Sequence, residues 1–354
     1  MSNPAAPCSE RNSFSPLRVL SILVPAAALV IGFSVYKRHA IESEVQQEGE
    51  RLLLGTLGLS NPAKNRLNAK FVDANGDLVA DVPADASQQI DPDPLVFSYV
   101  GGSDSERQQA VWKEFLDALA AATGKKVEYL VLTSADEELL ALQEGRLHVA
   151  GVNTGNVPAA VNTCGFVPVC TFGDNEKRTG YQVQIIVPAK SKIKDVYDLR
   201  GKEVALTERG SNSGFKAPLV LLMSDFDLRP QRDFDWVFTY GHDNSIQGIA
   251  AGKYEAAPVA SDMLARAVAR GDINAEDYRV IFASERFPKA AIGYVYNLKP
   301  ELAAKVTEVL TNFAWAGSGL EKEFGPSGGT SFVPVNYKDD WSLIRRIDDA
   351  MGMK

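Results

Sequence analysis

The stretch Ser211-Asn212-Ser213-Gly214 lies where an apolar strand over residues 203–207 gives way to an apolar-periodic helix beginning near Phe215. The first amides of a helix lack intrahelical partners and the macrodipole adds partial positive charge, so hydroxyls and amides gathered there can hold a small oxyanion. Ser, Asn and Gly are also ordinary helix caps, and these four residues alone leave both readings open. Other chemistries have less to stand on. With three histidines and three cysteines, and no H-x-x-x-H or C-x-x-C spacing, a metal or redox centre has no ligand set. Gly101-Gly102 lacks the full G-x-G-x-x-G of a dinucleotide fingerprint.

The elements that must position such a site are legible in outline. A chain of 354 residues that is 45% hydrophobic can fill two cores once its N-terminus is set aside. The net charge of -8 argues against a nucleic-acid or anionic-membrane surface, which needs clustered Lys and Arg. Residues 17–36 are nearly all apolar and long enough to cross a bilayer at about 1.5 Å per residue. They read as an uncleaved membrane anchor, with a cleaved signal peptide as the alternative. Basic residues on both sides (Arg11 and Arg18, then Lys37 and Arg38) leave its orientation to be set by function. Cys8 precedes this segment, so it is no lipobox cysteine, while Cys164 and Cys170 are either a bridge or two buried thiols.

Residues 37–57 read as a charged stalk, and the turn-rich residues 58–94 as a linker, so the globular body is expected from Leu95. Beyond it, strands over 95–100, 126–132 and 147–152 alternate with helices, as in a parallel sheet covered on its faces. A strand over 181–187 leaves this first lobe, a second α/β run occupies 188–284, and a strand over 291–297 returns. Two α/β lobes joined by two crossing strands place a ligand cleft between them. Thr154 and Asn156 follow the third strand, where the opposite wall of that cleft belongs, and are either donors or turn residues beside Gly155. Tyr99 and Ser103 end the first strand, at the rim or in the core. Asp262 and Glu285 are acceptors for a protonated oxyanion or else surface carboxylates.

The ordered succession of motifs resembles the periplasmic binding proteins of phosphate, phosphite and phosphonate ABC importers, the PhnD-like family. It is carried by Ser191-x-Ile193, Asp198-Leu199-Arg200-Gly201-Lys202, Ser211-x-Ser213-Gly214 with Pro218, Gly241-His242 ahead of Gly252 and Tyr254-Glu255-Ala256-Ala257, and Ser284-x-x-Phe287-Pro288. Three features depart from the pattern: His148 stands for a frequent acid, Asn153-Thr154-Gly155-Asn156 for a frequent Gly-Pro with a tyrosine nearby, and Asn212 for a frequent Thr.

The resemblance implies a two-lobed type II periplasmic-binding-protein fold with two crossover strands as hinge. Lobe 1 would span 95–187 and 285–354, and lobe 2 would span 188–284. It implies that Ser211, Asn212, Ser213 and His242 bind the ligand, and Thr154, Asn156 and Tyr99 join them as candidates for the other wall from their places at strand ends. A histidine donates from one ring nitrogen when neutral and from both when protonated, which suits an anion that titrates near neutral pH. The implied function is capture of a phosphonate, phosphite or phosphate outside the cytoplasm for an ABC permease, with no catalysis, metal, cofactor or nucleic acid. Residues 1–16 would then be cytoplasmic and 17–36 the single span. A ligand-sensing module is the alternative, and an enzyme on a related fold is the third reading.

Overall fold

The computed structural model describes residues 66–99, 105–174 and 177–351, with Gly32 and Lys37 as single helical positions. The chain divides into Met1–Thr56 and Leu57–Lys354, and the fold is that of the second unit. Apart from Gly32, the expected membrane span over 17–36 lies outside the described residues, as does Ser103. Among the described residues no helix is long and apolar enough to cross a membrane.

The first lobe opens with β1 (Leu95–Tyr99), β2 (Val127–Tyr129) and β3 (Val149–Val152), where β1 pairs in parallel with both of the others. Helices alternate with them because apolar residues recur at helical spacing. In Lys113–Thr123 the residues Phe115 and Leu119 are buried, and Gly124 ends the helix in the left-handed conformation (φ 73) that glycine adopts without strain. Next comes β4 (Phe166–Asp174), with the short β5 (Lys177–Arg178) at its end. The sequence reading has no counterpart of β4, since Pro168 counts against a strand interior. Pro168 is accommodated opposite Gly293 at a register shift. A Cβ on Gly293 would stand 2.0 Å from the Val167 carbonyl oxygen.

The second lobe contains β6 (Tyr181–Pro188), β7 (Glu203–Leu206), β8 (Asp235–Phe238), β9 (Ala257–Ala260) and β10 (Tyr278–Phe287). β6 lies between β9 and β10, all antiparallel, and β7 pairs in parallel with β8. The Ala205 N–H donates to the Ala256 carbonyl (2.8 Å), which joins the two sets into one surface. The chain then returns through β11 (Ala291–Val295) and β12 (Ser331–Pro334), giving a seven-stranded first sheet ordered β12-β4-β11-β3-β1-β2 with β5 beside β4. The crossovers are therefore 179–180 and 288–290. β6 and residues 285–287, expected in lobe 1, are hydrogen-bonded into the second sheet. Each sheet covers its own core: Trp112, Phe115, Phe172 and Phe332 in the first, and Ile186, Ile246, Ile249 and Val259 in the second.

Residues 66–94 are not a free linker. Phe71 is buried edge-on against Tyr296 with ring centroids 4.8 Å apart, the Asn68 N–H donates to the Asn162 carbonyl (2.8 Å), and Ile90 bridges to Leu298. The body thus begins earlier than Leu95. Cys164 and Cys170 are both buried free thiols.

His148 serves as a structural hydrogen-bond acceptor. Its Nδ1 accepts the Val96 backbone N–H (3.1 Å), tying β1 to the start of β3, so the ring must be neutral. Burial holds its pKa below the usual histidine value. Its contribution is present above the unfolded-state pKa of about 6.5 and is lost as pH falls below it. His148→Ala is expected to cost about 1–3 kcal/mol by stranding that N–H. Urea denaturation should show the gap between wild type and variant narrowing from pH 7.5 towards pH 5.

Candidate functional site

The end of β7 and the helix after it build the centre of the site. Ser211 is extended (φ -70, ψ 127), and its Oγ accepts the Gly214 N–H (3.0 Å), which makes it the helix N-cap. The hydroxyl proton of Ser211 stays available to an anion. The first turn, Asn212–Lys216, is π-helical, with the Lys216 N–H reaching the Ser211 carbonyl (3.0 Å). Gly214 permits this because its Cα abuts Thr207, and a Cβ there would lie 2.0 Å from Thr207 Oγ1. The amides of Asn212 and Ser213, by position, have no intrahelical acceptor.

His242 opens the helix His242–Ala250, one residue after Gly241. Asn244 Nδ2 donates to the Thr239 carbonyl (2.7 Å) and Ser245 Oγ bonds Thr239 Oγ1 (2.7 Å), so these two residues hold the turn. That anchoring brings His242 Nε2 to 3.0 Å from Ser213 Oγ, leaving Nδ1 without a partner. Burial pushes the imidazole pKa down to about 4, so at neutral pH it donates from one nitrogen and not from both.

Ser211, Asn212, Ser213, His242, Thr154 and Tyr99 line one cavity of about 290 Å³ between the lobes, together with Thr133, Asn153, Gly155, Tyr181, Asp262 and Lys289. Thr154 is not a free donor as expected. Its hydroxyl donates to the Pro288 carbonyl (2.9 Å), clasping the second crossover. Asn156 does not line the cavity, because its buried side chain packs on Gly210 at the lobe junction. Glu285 is exposed, while Asp262 presents a buried Oδ1 that has no partner. Tyr99 is buried among Trp112, Phe172 and Phe324, and burial pushes its hydroxyl pKa up to about 12.

Sequence reasoning missed Tyr181, whose hydroxyl accepts from Asn212 Nδ2 (2.8 Å), and Lys289, a cation on the second crossover. Both border a crossover, and that position was the available signal.

The lobes are shut against each other. Lys216 Nζ donates to the Gly155 carbonyl (2.8 Å) and to Asp348 Oδ1 (2.7 Å) on the C-terminal helix. Glu323 of the first lobe meets Arg270 (3.2 Å) and Arg266 (3.6 Å) of the second.

Two α/β lobes, two crossovers and a cavity between them with a helix start on its wall define a two-lobed solute-binding protein. The family model described as "ABC transporter, phosphonate, periplasmic substrate-binding protein" matches residues 97–341, and the chain belongs to this family. It is a family of extracytoplasmic transport proteins that bind substrate rather than enzymes. The chain is 22% identical over 291 residues to the phosphate-import protein PhnD of Mycolicibacterium smegmatis, covering 77% of this chain and 90% of that one. Two solved structures share its fold. The binding-protein component of an ABC phosphonate transporter from Pseudomonas aeruginosa aligns with TM-score 0.64 at 16% identity, over 73% of this chain and 88% of that one. PhnD1 of Prochlorococcus marinus in complex with methylphosphonate aligns with TM-score 0.63 at 11% identity, over 73% and 97%.

Proposed function

We propose that this chain captures a phosphorus oxyanion, a phosphonate, phosphite or phosphate, in the interlobe cavity and hands it to an ABC permease. The helix start at Ser211-Asn212-Ser213, with His242 hydrogen-bonded to Ser213 across the cavity wall, carries the reading. Two hydroxyls and two helix-start amides converge there on the cavity between the lobes, and hydrogen bonds to an anion are about twice as strong as neutral ones. Asn212 Oδ1 and Asp262 Oδ1 are buried acceptors without partners. They suit an oxyanion that keeps a proton, which a fully ionised sulfate lacks.

Ligand binding would stabilise the shut arrangement through contacts that only the shut lobes make. Residues 17–36 would tether the binding body to the outer face of the cytoplasmic membrane.

Calorimetric titration of the purified chain with phosphate, phosphite, methylphosphonate and sulfate tests the proposal. Heat with at least one phosphorus anion and none with sulfate is the expected result, and silence with all four would sink it. Ser213→Ala should weaken binding by about 1–3 kcal/mol by removing a donor to a charged group. An unchanged Kd would place the anion elsewhere in the cavity.

A further inference from the structure

The cavity has a charge that the oxyanion cradle does not use. Lys289 stands on the crossover between β10 and β11, is 4% exposed, and is the one Lys or Arg among the described lining residues. Its Nζ donates to the Ser327 carbonyl (2.9 Å), and among the described residues no carboxylate lies within ion-pair distance of it. Asp262 is a nearby opposing charge, and burial holds the ammonium pKa below the usual lysine value. A buried cation left with one neutral acceptor is costly unless an anion completes it.

The surroundings of Lys289 differ from those of the cradle. Ser211, Asn212, Ser213 and His242 belong to the second lobe and bond among themselves and to Tyr181. Lys289 reaches instead towards Ser327, three residues beyond Phe324, which packs on Phe172 (4.4 Å between centroids) and Tyr99 (5.9 Å) in the first lobe. The cavity of about 290 Å³ has room for more than one phosphoryl group.

We propose that Lys289 forms a second anion subsite, so that the preferred ligand is an alkylphosphonate whose short substituent ends in a carboxylate. This rests on the cradle holding the phosphonate. The substituent's methylenes would lie along Phe172 and Phe324, and its carboxylate would meet the Lys289 ammonium. An aminoalkyl substituent would instead bring a second cation to that wall.

Calorimetry on the full chain with methylphosphonate, phosphonoacetate and 2-aminoethylphosphonate tests this. Phosphonoacetate should bind about 10-fold or more tighter than methylphosphonate, the size expected of one hydrogen-bonded charge pair. In Lys289→Met that preference should vanish while methylphosphonate affinity stays within about 3-fold. Equal losses for both ligands in the variant would overturn the subsite and put Lys289 on the phosphoryl group. A wild-type preference for the aminoethyl ligand, or no preference, would overturn it too, and this ranking decides the matter even if Lys289→Met does not fold. No heat with any of the three would instead overturn the underlying phosphonate reading.

Discussion

Lys216→Met is expected to destabilise the protein by about 3–5 kcal/mol, the usual cost of breaking a buried ion pair from one side. Lys216 and Asp348 are 8% and 9% exposed and meet at 2.7 Å, and the same ammonium satisfies the Gly155 carbonyl at 2.8 Å. Removing the lysine leaves a carboxylate and a carbonyl oxygen buried without their donor. Burial raises the Asp348 pKa even with Lys216 beside it, so desolvation outweighs the attraction of the pair. The pair is therefore expected to add little net stability compared with apolar residues of similar shape. The double variant Lys216→Met with Asp348→Leu should recover most of the loss. Guanidinium denaturation of both singles and the double closes the cycle. A single variant within about 1 kcal/mol of wild type would show that Asp348 finds water or another donor.

Gly155→Ala is expected to lower ligand affinity about 100-fold while leaving each lobe folded. Gly155 needs no left-handed backbone, so alanine is not excluded by conformation. It is excluded by what faces it. A Cβ at Gly155 would lie 2.2 Å from the Gly210 carbonyl oxygen and 2.6 Å from the Asn212 nitrogen, both backbone atoms of the loop that leads into the cradle. Backbone cannot swing aside as a side chain can, so the methyl holds the lobes apart. A penalty of about 3 kcal/mol on the shut state lowers apparent affinity by that factor. Gly210→Ala is the milder control, because its methyl would meet the amide end of the Asn156 side chain. Small-angle scattering should show wild type contracting with ligand and Gly155→Ala failing to do so. Contraction in the variant with unchanged affinity would show that the loop shifts to absorb the methyl.

The parts of this architecture readable without coordinates are those with a local physical signature. Ser211-Asn212-Ser213-Gly214 is legible because a helix start has a characteristic composition, and His242 because Gly241 and Asn244-Ser245 mark another turn into a helix. β4 was illegible because Pro168 argues locally against a strand, and only the gap left by Gly293 on β11 lets it pair. Residues 66–94 looked like a linker because turns dominate them, yet Phe71 finds Tyr296 more than two hundred positions away. Thr154 illustrates the same limit. Its composition permits a donor to ligand, and the Pro288 carbonyl takes that proton instead.

Sequence alone determined the alternation of strands and helices, the two-lobed class and the helix start at Ser211, since periodicity, capping and turn chemistry act over a few residues. Tertiary structure decided the rest. It placed β6 in the second sheet, shut the lobes through Lys216 and Glu323, turned His148 into a structural acceptor, and brought Asp262 and Lys289 into the cavity. Each of these depends on which distant backbone or charge comes within a few ångströms, and that is set by packing across the crossovers rather than by neighbours in the chain.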